Sequence, residues 1–158
     1  MGAGLSGSVG QDMLTQSYPV SADGLALEVM IGLPGNAFAP LVAAGQPVPA
    51  PILVRALIDT GSDVTCVAIR IPQQFGLIPI GPSKTQTVSG SLPVNLYEVS
   101  LSIPGVSAVT GPLLVLPQLL VMELAQTLQN VDVLIGLDVL LQCVLHVDGP
   151  GRQFSLSA

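Results

Sequence analysis

Residues 56–62, Ala-Leu-Ile-Asp-Thr-Gly-Ser, place a carboxylate at the end of an apolar run and follow it with a small hydroxyl residue and a glycine. That order suits a buried strand delivering Asp59 into a tight turn, with hydroxyls at Thr60 and Ser62 and no β-carbon at Gly61 to obstruct the backbone. Further on, Val131-Asp132-Val133-Leu134-Ile135-Gly136 forms a second short apolar run closed by glycine. The chemistry open to such a carboxylate is acid–base work on water. Two carboxyl groups a hydrogen bond apart resist ionising together and hold one proton between them; the ionised member takes a proton from water and the protonated member donates toward an oxyanion. Asp and Gly also make ordinary turns. The apolar strand before Asp59, the later Ile135-Gly136 and a hairpin pattern between them favour the chemical reading.

The two motifs in this order resemble those of the retropepsin-like aspartic proteases, and the resemblance spans Gly24 to Ser157. It implies a mostly-β, closed-barrel acid protease fold with one short C-terminal helix. It also implies a homodimeric aspartic-type endopeptidase acting on polypeptides, with no metal and no cofactor. Asp59 is then the catalytic residue, one from each subunit, and Thr60 cross-links the two active-site loops. Gly61 allows the turn, Ser62 bonds the outer carboxylate oxygens, and Ile135 and Gly136 brace the loop from the neighbouring strand. The resemblance further implies a flap, the mobile hairpin over the substrate, with Val88, Ser89, Gly90 and Ser91 around its tip. Retroviral members place Arg directly after the second glycine; Leu137 stands there in this chain, so their Arg-based interface ion pair is missing. A catalytically silent dimer that holds an extended peptide in the same cleft is the alternative, and an enzyme awaiting cleavage of its tail or long loop is a third reading.

Only one Asp-Thr-Gly occurs among the 158 residues, with no Asp-Ser-Gly to supply a second carboxylate. A chain this short does not hold two lobes and a cleft between them. A two-fold axis solves the problem by setting Asp59 against its own copy. Composition agrees: 49% of residues are hydrophobic, 9% charged and 3% aromatic. Aliphatic side chains must therefore build the core, and the surplus apolar surface suits a dimer interface.

A net charge of −6, with Arg55, Arg70, Lys84 and Arg152 scattered, argues against nucleic acid as a partner. The most apolar run, Leu113 to Met122, is broken by Pro117 and Gln118 and falls short of the roughly 20 residues that span a bilayer. No membrane span is expected, and the chain reads as soluble. Cys66 and Cys143 make no disulfide framework and read as reduced, buried thiols. No cationic start precedes an apolar signal core, so a cytoplasmic location is expected. Residues 1–17 are rich in Gly and Ser and read as a flexible tail ahead of a domain at 18–158; the myristoylation pattern at Met1 to Ser6 is set below a simple leader or expression remnant.

Among the elements, Leu25, Leu27, Val29 and Ile31 alternate with more polar neighbours and predict a strand. Gly32 to Pro51 reads as an added segment at the cleft rim, with one or two helical turns at 38–44 and prolines holding the rest extended. Ile52 to Ile58 is the strand that delivers Asp59, Val64 to Ile69 the next strand, and Pro72 to Phe75 a helical turn closed by Gly76. Lys84 to Val88 and Val94 to Ile103 predict a hairpin, with Tyr97, Val99, Leu101 and Ile103 on one face. Leu113 to Leu116 predicts a short strand, and Leu120, Leu124 and Leu128 predict an amphipathic helix or an extra loop over 118–129. The single helix begins at Asp138. Cys143 to Val147 and Arg152 to Ser157 predict two strands that pair with their copies across the two-fold axis. Asp63 and Asp132 read as solvated or hydrogen-bonded groups near the site, and His146 as a packed core residue rather than a metal ligand.

Overall fold

The computed structural model describes residues 13–158. The myristoylation pattern lies outside them. The tail boundary expected after Ser17 falls inside a strand, β1 (Thr15–Pro19), which pairs antiparallel with the last strand, β10 (Gln153–Ser157). A hairpin of β9 (Val144–Asp148) and β10 completes this three-stranded sheet in the order β1-β10-β9. The expectation that both C-terminal strands pair with a second copy is therefore corrected for β10, whose two edges are taken by its own chain. Edges remain on β1 and β9 among the described residues. His146 lies exposed on β9, opposite Ser155, and is not the core residue expected.

The second sheet has seven strands and closes on itself. β2 (Ala26–Gly32) pairs antiparallel with β3 (Ile52–Ile58), and β3 runs parallel to β8 (Val133–Ile135). β8 pairs with the two-residue β4 (Cys66–Val67), which runs parallel to β7 (Leu114–Glu123). β7 pairs with β6 (Gly90–Ile103), and β6 returns to β2 through Met30↔Ser102 and Ile31↔Leu101. The result is the expected closed barrel, from which β5 (Gly81–Thr87) and the first half of β6 project as a hairpin.

Alternation explains why the barrel fills. Leu27, Val29 and Ile31 from β2 and Tyr97, Val99, Leu101 and Ile103 from β6 point inward and are buried, as their period-two spacing predicts. Aliphatic residues make nearly the whole core; an aromatic stack, Tyr18 on Phe154 with centroids 5.0 Å apart, joins β1 to β10. The 118–129 region is corrected. It contains no helix: β7 runs on to Glu123, and the leucines at helical spacing do not share a buried face, since Leu120 and Leu128 are both exposed. Pairing to β6 on one side and β4 on the other decides the matter, and Pro117 is tolerated because it sits where the β6–β7 register shifts.

Two helices accompany the expected C-terminal one, α3 (Leu137–Leu140). α1 (Gly35–Ala43) occupies the proline-rich segment where helical turns were predicted; Pro34 precedes it, Pro40 interrupts its hydrogen bonding and Gly45, at φ 65°, ends it. α2 (Arg70–Gln74) matches the turn expected before Gly76.

Candidate active site

Asp59 follows β3 directly. Its N–H donates to the Ile135 carbonyl at 2.9 Å, which continues the parallel β3–β8 pairing one residue beyond the strand and fixes where the carboxylate emerges. The turn is closed by the Ser62 N–H on the Asp59 carbonyl at 3.2 Å, and the Gly61 N–H reaches back to Asp59 Oδ1 at 3.0 Å. A β-carbon at Gly61 would come within 3.2 Å of that oxygen, so glycine keeps the carboxylate uncrowded. Thr60 is exposed at the apex and its hydroxyl has no hydrogen-bond partner among the described residues. The Ser62 hydroxyl donates to the Val64 carbonyl at 2.7 Å, so within one chain its proton is not directed at the Asp59 carboxylate.

Ile135 and Gly136, both buried, lie behind the turn, the Ile135 carbonyl accepting the Asp59 N–H. Gly136 is demanded by contact: a β-carbon there would sit 2.8 Å from both the Ser62 carbonyl oxygen and the Val64 carbonyl carbon. The next residues tie the turn down further, with the Leu137 N–H on the Ser62 carbonyl at 2.8 Å and the Asp138 N–H on the Asp63 carbonyl at 3.1 Å.

Sequence reasoning missed the centre of this bracing. Thr65 is fully buried; its hydroxyl donates to Asp138 Oδ1 at 2.7 Å and accepts the Gly136 N–H at 3.0 Å, while its own N–H donates to Asp138 Oδ2 at 3.0 Å. The Val139 N–H adds a further bond to Oδ1 at 2.9 Å, so both oxygens of Asp138 are engaged as acceptors. The available signal was a hydroxyl in the middle of an otherwise apolar run, Val64 to Ile69. Where retroviral members carry Arg after the glycine, this chain packs Leu137 against the core and lets Asp138 hold the loop.

A cleft of about 460 Å³ opens above Asp59. Its floor is Asp59, Gly61, Ser62 and Cys66; Thr85, Gln86, Val88 and Ser89 of the β5–β6 hairpin reach over it. The opposite wall is Glu123 and the following loop. The hairpin turn is tighter than the sequence suggested: Thr87 pairs with Gly90, so Val88 and Ser89 alone form the loop, and Gly90 takes φ 127°. Val88 projects fully into solvent, while Gly90 and Ser91 open β6 and do not line the cleft. Burial pushes the Cys66 thiol up, with a smaller rise from the Asp138 and Asp59 carboxylates opposing a lowering by the Ser62 hydroxyl.

The remaining acidic candidates are occupied or remote. Asp132 accepts two bonds from the Arg70 guanidinium, one at 2.9 Å from Nε, and Asp63 is exposed outside the cleft. Among the described residues no group of three His, Cys, Asp or Glu side chains could hold a metal.

A closed barrel whose third strand delivers an Asp-Thr-Gly turn, braced by a parallel strand ending in Ile-Gly and overhung by a hairpin, is the retropepsin-like fold, and this chain has it. A retropepsin-like aspartic protease from Rickettsia conorii superimposes with a TM-score of 0.55 at 12% identity, over 93% of this chain and 94% of that one. The retroviral protease-like domain of Ddi1 from Leishmania major matches at 16% identity and a TM-score of 0.38, over 80% and 83%. Neither a family model nor a curated protein matches at the level of sequence. No helix among the described residues is long and apolar enough to cross a membrane.

Proposed function

We propose that the chain is one half of a homodimeric aspartic endopeptidase, with Asp59 of each copy forming the catalytic pair. The observation that carries this reading is the Asp59 turn itself: a carboxylate supported by the Gly61 N–H, at the floor of a cleft, beside an exposed Thr60. The other carboxylates close to the turn do not complete a pair, because Asp138 is engaged by Thr65 and Asp63 does not line the cleft. A second copy supplies what is lacking. Leu141, Val144 and Val147 give it an apolar landing surface, at 81%, 55% and 51% exposure, beside the open edge of β9.

In the dimer, a water between the two carboxyls loses a proton to the ionised one as its oxygen bonds to the peptide carbonyl carbon. The protonated carboxyl donates to the carbonyl oxygen, which takes up the negative charge. When the tetrahedral intermediate collapses the C–N bond breaks, the amine leaves with a proton from the pair, and the dyad returns to its singly protonated state. The β5–β6 hairpin acts as the flap, closing over a peptide held in extended form.

The test is Asp59→Asn. It keeps the shape of the turn and removes the acid–base pair, so peptide cleavage should fall by at least about 10²-fold while sedimentation still reports a dimer. Undiminished cleavage would sink the mechanism. Peptide binding without cleavage in the unaltered chain would select the silent peptide-holding module instead.

A further inference from the structure

The charge lining the cleft is one-sided. Besides Asp59 the only ionisable carboxylate on its walls is Glu123, and none of the four Lys and Arg residues lines it. The cations are placed elsewhere: Arg55 pairs with Asp23 at 3.0 Å, Arg70 with Asp132, while Lys84 and Arg152 are exposed outside the cleft. Glu123 is also held in place. It is the last residue of β7, in register with Val67, and the chain on either side is fixed by the Met122 N–H on the Thr65 carbonyl at 3.0 Å and the Leu124 N–H on the Val67 carbonyl at 2.8 Å. Its Oε2 accepts the Asn95 N–H at 3.1 Å, which orients the carboxylate under the base of the hairpin. Oε1 has no partner among the described residues. A partly buried, oriented carboxylate with one oxygen unpaired and no cation beside it among the described residues can receive a cationic group.

Resting on the proteolytic reading of the same cleft, we propose that Glu123 is a specificity-determining residue that selects polypeptide substrates carrying Lys or Arg close to the scissile bond. The remaining cleft lining, with Leu124, Leu128 and Leu134, accommodates the aliphatic stem of such a side chain while its charged end reaches Glu123. Asp59 cannot take this role, because a cation bound to it would displace the reacting water.

The experiment compares short peptides that are identical except for Lys or the uncharged norleucine at one position, scanned on both sides of the cleaved bond. The unaltered chain should favour one Lys-bearing series by about tenfold in kcat/KM, as a charge-assisted hydrogen bond predicts, with the preference shrinking as salt is added. Glu123→Gln retains an oxygen to accept the Asn95 N–H, so a merely structural role would leave the Lys-to-norleucine ratio unmoved; we expect that ratio to collapse toward one. Glu123→Lys should invert it in favour of a Glu-bearing series. Equal cleavage of Lys and norleucine peptides by the unaltered chain, or a ratio that survives Glu123→Gln, overturns the proposal. Should no peptide be cleaved, fluorescence anisotropy of the same labelled peptides decides: tighter binding of the Lys series that Glu123→Gln abolishes upholds the Glu123 assignment while the proteolytic reading falls, and equal binding overturns both.

Discussion

At the scale of single residues, the site depends less on Asp59 than on what prevents Asp59 from moving. Thr65 and Asp138 clamp the turn to the start of α3 through three hydrogen bonds within 3.0 Å. Thr65→Val preserves the volume but strands the buried Gly136 N–H and removes one of the two donors to Asp138 Oδ1, which keeps only the Val139 N–H. The expected cost is about 1–3 kcal/mol of stability, read from the urea midpoint. The catalytic loss should exceed what the unfolded fraction explains, because the loop carrying Asp59 loosens before the barrel opens. Asp59 and Gly61 could be placed in a turn from the sequence because that turn is local, closed by bonds among residues 59–62, and Gly136 could be marked only as the glycine that ends an apolar run. Thr65 was not, because its hydrogen bonds run to Asp138 and Gly136, more than seventy residues on, which neither spacing nor periodicity can bring together.

Among the elements, strands with one buried face were readable and those lacking that pattern were not. β2 and β6 alternate cleanly, and β3 could be placed from its apolar run. β7 was misread because leucines four apart suit a helix as well as a strand, and only pairing with β6 and β4 settles the choice. β4 shrank to Cys66–Val67 because it serves as a short tie between β8 and β7. The projecting hairpin carries its own prediction. A β-carbon at Gly90 meets nothing within 4 Å, yet φ 127° is a conformation that other residues rarely adopt. Gly90→Ala therefore strains the tip without crowding it, at about 1–3 kcal/mol. We expect kcat/KM to drop by about tenfold or more with a much smaller change in melting temperature, since the hairpin can distort locally outside the closed barrel. A melting shift large enough to account for the lost activity would argue that the tip stabilises the barrel rather than closing the cleft.

For the whole molecule, assembly and alkaline stability are the quantities to measure. Activity per chain should decline on dilution below the dimer dissociation constant, in step with the sedimentation coefficient, and an undiminished monomeric activity would contradict the shared site. The alkaline behaviour follows from three half-buried groups, the two cysteines being less enclosed than the buried thiols expected from the sequence. Burial raises Cys66 and Cys143 above the ordinary 9.0 of a thiol, and raises Tyr18 above 10.0 with a further contribution from Cys143. A raised value means that the folded chain holds these protons more tightly than the unfolded chain. The associated stability is thus fully present below the ordinary thiol range and is lost as pH climbs through the raised values. Urea midpoints should fall over that alkaline interval, and replacing both cysteines with alanine should flatten the decline. The same burial keeps thiolate scarce near neutrality, so both cysteines should react sluggishly with alkylating reagents until the chain unfolds.

The threading of β8 beside β3 has a consequence in time. Asp59 is aligned by the Ile135 carbonyl, and its turn is packed against Gly136, so the chain from Asp59 to Gly136 must be brought back on itself before that turn has a definite shape. Closing so long a loop, and doing so through a parallel pairing, is entropically slow. During synthesis, residues 56–62 leave the ribosome well before their brace exists. The carboxylate therefore stays unaimed until β8 and α3 have emerged and docked, so that on the proposed proteolytic reading no hydrolysis can begin before folding is complete.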